Sequence, residues 1–271
     1  MWTDSKQREE GSMKVEIWSD YACPFCYIGK KRFELALQSF PHRDKIEVVY
    51  RSFELDPNAK HVPGTSIHEL LSRKYGFPLE QAKASNANVG SQAAELGLTF
   101  DFDAMKTGNT FDAHRLMHWA SQQGKGNALS EGLFRAYFEQ GRLLEDRQTL
   151  AELAAEAGLD AAEAAEVLAS GRYEAETRRD EQEGSELGIQ GVPFYVLDRK
   201  YGVSGAQPPS VFLQALEQAW SERAAAAADS VQAGAAAGGD CGDGACAVPA
   251  AASDGDACED GSCAVPDPSG K

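Results

Sequence analysis

The chain has 271 residues, enough to bury a sizeable core in one or two domains. Its 26 basic residues face 42 acidic ones, a net charge of −16, which opposes nucleic-acid phosphates and anionic lipid and sets both partner classes aside. No run of 18 apolar residues occurs and no apolar h-region follows a basic start, so neither a transmembrane helix nor a secretory signal is written here and the cytoplasm is the expected compartment.

In chain order, residues 14–18 (KVEIW) and 45–53 (KIEVVYRSF) are short, β-branched and aromatic, the composition of strands. Between them KKRFELALQSF places Phe33, Leu37 and Phe40 on one helical face. Met13 directly precedes the first strand, so residues 1–12 read as a dispensable leader, or as preceding a start that belongs at Met13, and are left outside the fold. From about residue 66 to 187 the pattern is helical. Ser66-Ile67-His68-Glu69 and Asp160-Ala161-Ala162-Glu163 each place an N-cap residue three positions before an acid, and glycines at 97, 124, 141, 158 and 171 punctuate the ends. Five or six helices fit there. After Gly191 the strand pattern returns in VPFYVLD and YGVSG, spaced as a hairpin, and SVFLQALEQAWSERAAAAA reads as a last helix.

The expected architecture is therefore an α/β chain of β-α-β and β-β-α halves, residues 14–65 and 188–228, interrupted by an all-helical insertion at 66–187. Residues 229–271 are rich in Ala, Gly, Asp and Ser and hold almost no large apolar side chain. Such a segment cannot offset its ordering entropy by burial, so a flexible acidic tail is expected.

Six cysteines in a chain of this length do not make a disulfide framework. Cys23 and Cys26 stand where the first strand hands over to the first helix, in SDYACPFCYIGKKRFE. Free backbone N–H groups and the positive end of the macrodipole at a helix start favour a thiolate at Cys23. Cys26 lies one turn on and less open to water, which makes it the resolving thiol. Pro24 is tolerated at the first helical position and stiffens the link. A zinc site would need two further Cys or His ligands matched to this pair; zinc and a purely structural disulfide are the two competing readings. Lys30, Lys31 and Arg32 follow the pair and read as a solvated charge run. His114 reads as part of an amphipathic core helix with a capped or solvent-edge imidazole, and Asn109-Thr110-Phe111 reads first as its N-cap and second as a substrate contact.

The strings SDYACPFCYIGKKRFE, NTFDAHRLMHWASQQGK (109–125) and GIQGVPFYVLDRKYGVSGAQP (188–208), with the order of elements, resemble the FrnE-type subgroup of DsbA-like thiol oxidoreductases over about residues 14–222. The resemblance implies a thioredoxin fold with an inserted helical domain. It implies a cis bond at Val192-Pro193 in a loop lying against the dithiol, and places the His114 helix in a lid over the site. Phe25 stands beside the second cysteine where the strongest oxidants of the wider family carry histidine. It can donate neither hydrogen bond nor charge, so the expected potential is more reducing than the roughly −120 mV of such an oxidant.

The function expected is that of a cytoplasmic protein-disulfide oxidoreductase or isomerase. Cys23 and Cys26 are catalytic, Pro24, Phe25, Val192 and Pro193 form the active-site loop, and no cofactor is required. Its partners would be proteins carrying disulfides or thiols and a thiol recycling system. A glutathione-dependent small-molecule isomerase or transferase of the same fold is the alternative; such enzymes typically carry serine at the first position, where this chain has Cys23. The tail repeats DCGDGACAVP and ACEDGSCAVP with a period of 17. Each pair, Cys241/Cys246 and Cys258/Cys263, encloses four turn-forming residues across which a disulfide is reachable. Three readings stand for them: an auxiliary redox site exchanging with Cys23–Cys26, a metal site that would make the tail a metal or redox sensor, or a passive duplication.

Overall fold

The computed structural model describes residues 12–236, with side chains described through residue 224. Strand β1 (Met13–Ser19) leads into α1 (Pro24–Ser39), a short 3-10 turn (Arg43–Lys45) and β2 (Ile46–Ser52). Seven helices follow: α2 (Ile67–Tyr75), α3 (Leu79–Ala94), α4 (Phe111–Gln122), α5 (Gly126–Phe138), α6 (Arg147–Glu156), α7 (Ala161–Ala169) and α8 (Glu174–Glu186). The chain closes with β3 (Phe194–Leu197), β4 (Tyr201–Ser204) and α9 (Pro209–Ala236). The expected five or six inserted helices are seven, because Gly76 at φ 72 and Pro78 split α2 from α3. Of the sequence-predicted caps, Ser66 and Glu69 form a reciprocal capping box, and the Asp160 side chain accepts from the Glu163 N–H.

The sheet runs β2-β1-β3-β4, with β1 parallel to β2 and antiparallel to β3, and β3 antiparallel to β4. That is the mixed sheet of a thioredoxin fold, carrying a large helical insertion between β2 and β3. Alternation along β1 gives its two faces opposite characters. Met13, Val15 and Ile17 are buried with Phe33 and Ala36 of α1, Tyr195 of β3, and Phe212 and Leu216 of α9. Each fully buried side chain of this size contributes about 1.5–3 kcal/mol. Glu16 and Trp18 face the other way. Glu16, 1 % exposed, accepts from Arg51 Nε at 2.9 Å and also pairs with Arg199. Trp18 donates its Nε1–H to the Asp180 carbonyl at 2.8 Å, tying α8 to the sheet. Gly184 of α8 permits that approach, since a Cβ there would stand 2.8 Å from the indole nitrogen.

Helix α1 separates two cores. Its Phe33 side belongs to the sheet and α9, while Cys26, Tyr27 and Ile28 belong to a cluster with Leu116, Leu133, Phe134, Leu153 and Val167 of the inserted helices. Tyr27 stacks on Phe134 at 5.0 Å with planes 6° apart. The helix starts with Pro24 at N1 and stops at Phe40, whose extended ψ of 125° is what the following Pro41 requires.

Candidate active site

The end of β1 and the start of α1 bring both cysteines to one place. Cys23 is the N-cap of α1, with φ −94° and ψ 114° and no side-chain cap, so the first-turn N–H groups of the helix remain directed at its side. Its own N–H donates to the Asp20 carbonyl at 3.0 Å, closing the turn Asp20–Cys23, and its carbonyl accepts the Cys26 N–H at 3.0 Å. Both cysteines are unpaired thiols. Cys23 is 5 % exposed and Cys26 1 %, so the first sulfur is itself largely covered, with Val192 and Ala206 in the same apolar cluster. The exposed member of the quartet is Phe25, at 41 %.

The Val192-Pro193 bond is cis. The Val192 carbonyl lies 3.5 Å from Cys23 Sγ and accepts from its thiol. Pro193 in turn offers its carbonyl to the Gly205 N–H at 2.8 Å, anchoring the loop to the end of β4. Gly29, three residues after Cys26, is where α1 meets this loop. A Cβ there would stand 2.7 Å from the Tyr195 hydroxyl and 3.0 Å from Pro193 Cγ, so only glycine allows the loop to lie this close to the helix.

Burial pushes the Cys26 thiol well above its ordinary range, and neighbouring Cys23 acts in the same direction, against weaker help from Ser19 and the Asp20 backbone. Cys26 is therefore held as a protonated thiol. Beneath it, burial also drives the phenols of Tyr21 and Tyr195 up, which keeps them neutral.

Asp20 is fully buried. Its carboxylate accepts from the Leu55 N–H at 2.7 Å, the Thr110 hydroxyl at 2.9 Å and the Ala22 N–H at 3.2 Å, and His114 Nε2 stands 3.7 Å away. Burial pushes the carboxyl up, but the facing imidazole and the two N–H groups outweigh it and hold it below its ordinary value. His114 is thus neither capped nor at the solvent edge: it is 2 % exposed, against the ring of Tyr21 at 5.1 Å. The N-cap position of α4 falls on Thr110, whose hydroxyl goes to Asp20, while Asn109 Oδ1 accepts the Phe111 N–H at 2.8 Å and Asn109 Nδ2 donates to Glu54.

The basic run is not solvated as expected. Lys30 is 3 % exposed and sits between Glu34 and Glu131, the latter at 2.8 Å; Lys31 pairs with Glu131 at 2.6 Å; Arg32 donates to the Ala206 carbonyl at 2.6 Å. The cause is α5, which carries Glu131 over the middle of α1. Burial raises the Glu131 carboxyl, but Lys30 and Lys31 outweigh it and bring it down to about 2.

The structure brings Cys23, Pro24, Phe25, Cys26, Val192 and Pro193 into one site. Asp20, Glu131 and Tyr195 stand around it without having been singled out in the sequence, and Thr110 of the expected N-cap string joins them. An acid between a strand end and a C-x-x-C was a usable signal for Asp20; Glu131 and Tyr195 carry none, because nothing local ties them to α1. Cys241, Cys246, Cys258 and Cys263 lie outside the described residues. Among the described residues no helix is long and apolar enough to cross a membrane.

Comparison with known proteins finds relatives over most of the chain. The probable DsbA oxidoreductase SCO1869 from Streptomyces coelicolor is 52 % identical, with a TM-score of 0.73 over 78 % of this chain and 91 % of that one. Protein YwbO of Bacillus subtilis (strain 168), uncharacterized, is 27 % identical over 207 residues, 76 % of this chain and 96 % of its own. The cytosolic disulfide reductase DsbM from Pseudomonas aeruginosa, 19 % identical, shares the fold at a TM-score of 0.53 over 76 % of this chain and 97 % of its own. The profile of the DSBA-like thioredoxin domain matches residues 14–217, and the chain belongs to that family.

Proposed function

We propose that this chain is a thiol–disulfide oxidoreductase or isomerase of the FrnE-type subgroup, working on protein disulfides through Cys23 and Cys26 in the cytoplasm. The observation that carries the reading is the placement of Cys23 at the N-cap of α1, 3.5 Å from the Val192 carbonyl, with the protonated thiol of Cys26 one turn behind it. The thiolate of Cys23 attacks one sulfur of a substrate disulfide, forming a mixed disulfide and releasing the other sulfur as a thiolate. Cys26 then loses its proton and attacks Cys23 Sγ, which frees the second substrate thiol and leaves Cys23–Cys26 oxidised. Two electrons have passed to the substrate. Two thiols of a recycling system return the oxidised pair to the dithiol; run in reverse, the sequence oxidises a substrate dithiol and leaves the pair reduced, to be reoxidised by a disulfide of that system. The last carbonyl before Pro193 suits an extended peptide lying along the loop, which favours a protein over a small molecule as substrate.

The tail cysteines fit the same chemistry as auxiliary exchange partners at high effective concentration. Insulin-disulfide reduction and refolding of a scrambled protein, by wild type, Cys23→Ser and a chain ending at Ala228, test both parts. Loss of both activities in Cys23→Ser is expected, and their survival would overturn the assignment. Slower turnover of the shortened chain with an unchanged first encounter would support the auxiliary role; unchanged turnover would remove it.

A further inference from the structure

We propose that Asp20 and His114 are positioning residues of the dithiol: the carboxylate locks the turn that presents Cys23, the imidazole supplies its countercharge, and the pair thereby sets the balance between dithiol and disulfide. This rests on the redox role of Cys23 and Cys26 proposed above.

Asp20 touches the dithiol through its main chain, since its carbonyl accepts the Cys23 N–H at 3.0 Å. Its side chain fixes that turn to two other segments, through Leu55 in the loop after β2 and Thr110 at the head of α4. All three hydrogen-bond donors to the carboxylate, Ala22, Leu55 and Thr110, are neutral. A buried carboxylate with neutral donors alone retains a heavy desolvation penalty, and the side chain facing it that can carry a countercharge is His114, its Nε2 3.7 Å away. That separation is longer than a hydrogen bond, and His114 Nε2 has no other polar partner among the described residues. The ring is held by Tyr21, itself packed on Phe134 at 5.0 Å. The other titratable groups around the carboxylate are the phenols of Tyr21 and of Tyr137 on α5, both pushed up by burial and neutral, and the thiols. Among the described residues His114 is therefore the group placed to offset this carboxylate.

A negative charge beside a sulfur opposes its thiolate, and a cancelled one does not. Removing either member must then act with opposite sign. His114→Gln keeps an N–H donor and leaves the carboxylate uncompensated. It should slow iodoacetamide alkylation of Cys23 about threefold or more and shift the equilibrium with glutathione toward the Cys23–Cys26 disulfide. Asp20→Asn should do the reverse by a similar factor, and the double variant should return to within about twofold of wild type. In that equilibrium one disulfide and two glutathione thiols exchange for the dithiol and oxidised glutathione, and the mass of the peptide carrying residues 23–26 reads it without interference from the tail cysteines. Should Asp20→Asn not fold, Thr110→Val, which removes one neutral donor and keeps the charge, must shift in the same direction as His114→Gln. Shifts of the same sign in His114→Gln and Asp20→Asn, or none beyond twofold, overturn the proposal. Insulin reduction by wild type is measured alongside: opposite shifts without any insulin reduction would sink the protein-disulfide reading and leave this one standing.

Discussion

Two buried carboxylates four residues apart, Glu16 within β1 and Asp20 just past its end, are handled in different ways. Behind the sheet Glu16 meets two arginines, Arg51 and Arg199, and Arg51 reaches on to Asp180, itself touched by His118 and the Ser52 N–H. Every charge there has a close opposite, the guanidinium groups flank the face of Trp18, and the result is a clamp between the sheet and α8. Beside the dithiol Asp20 has neutral donors and one imidazole at 3.7 Å. Charge saturation suits a region that must stay put. A charge with one adjustable partner suits a region whose neighbouring sulfurs gain and lose electrons.

The strongest attempt to break this contrast is made at the dithiol. Cys26→Ser should leave the fold intact yet stall catalysis at the mixed disulfide, with loss of turnover of about 100-fold or more. Non-reducing electrophoresis after mixing with a disulfide-bonded substrate should show the covalent adduct; free release of substrate would mean that Cys26 is not the resolving thiol. The clamp should respond in the opposite manner. Asp180→Ala removes one member of a buried, multiply paired network and should cost about 3–5 kcal/mol in urea unfolding, while the glutathione equilibrium of the dithiol stays within about twofold. A large redox shift there would show the two regions to be one electrical unit.

Acid titration separates a third case. Glu131 is ordinarily near 4.5 and is held at about 2 in the fold. Its depressed value means that Lys30 and Lys31 contribute stability above about pH 4.5, lost as the pH falls toward 2. Since Glu131 is about a third exposed, solvent screening leaves on the order of 1–2 kcal/mol. Glu131→Gln should flatten the stability curve between those pH values, and an unchanged slope would assign the acid lability to Asp180 and Asp20 instead. The smallest effect is expected at Phe25. The wild-type potential should fall in the span of about −180 to −270 mV, and Phe25→His should raise it by roughly 30 mV or more. A wild-type value near −120 mV would show that residue 25 is not what tunes this pair.

Much of the site was legible in the sequence because its parts are local. A strand end, a C-x-x-C and a helix start within ten residues fix the place of Cys23 and Cys26, and Pro24 at N1 follows from the same register. Val192 and Pro193 came from the family resemblance, since a Gly-Val-Pro string alone says only that the chain turns. Lys30 was misjudged because its burial depends on Glu131, 101 residues away, and no helical periodicity in α1 announces an acid arriving from another helix. His114 was misjudged for the same reason: its carboxylate partner is 94 residues upstream at a strand end. The helix count was short because no end was marked between residues 66 and 97, where Gly76 and Pro78 divide α2 from α3.

The position of α1 between two cores has a further consequence. Both sulfurs are counted within the apolar cluster of the inserted helices, not within that of the sheet and α9. Any excursion that loosens those helices must wet the sulfurs while the strands remain paired. The rate at which a small alkylating reagent reaches Cys26 is thus a built-in gauge of partial opening, and it would report breathing of that half of the molecule long before global unfolding registers.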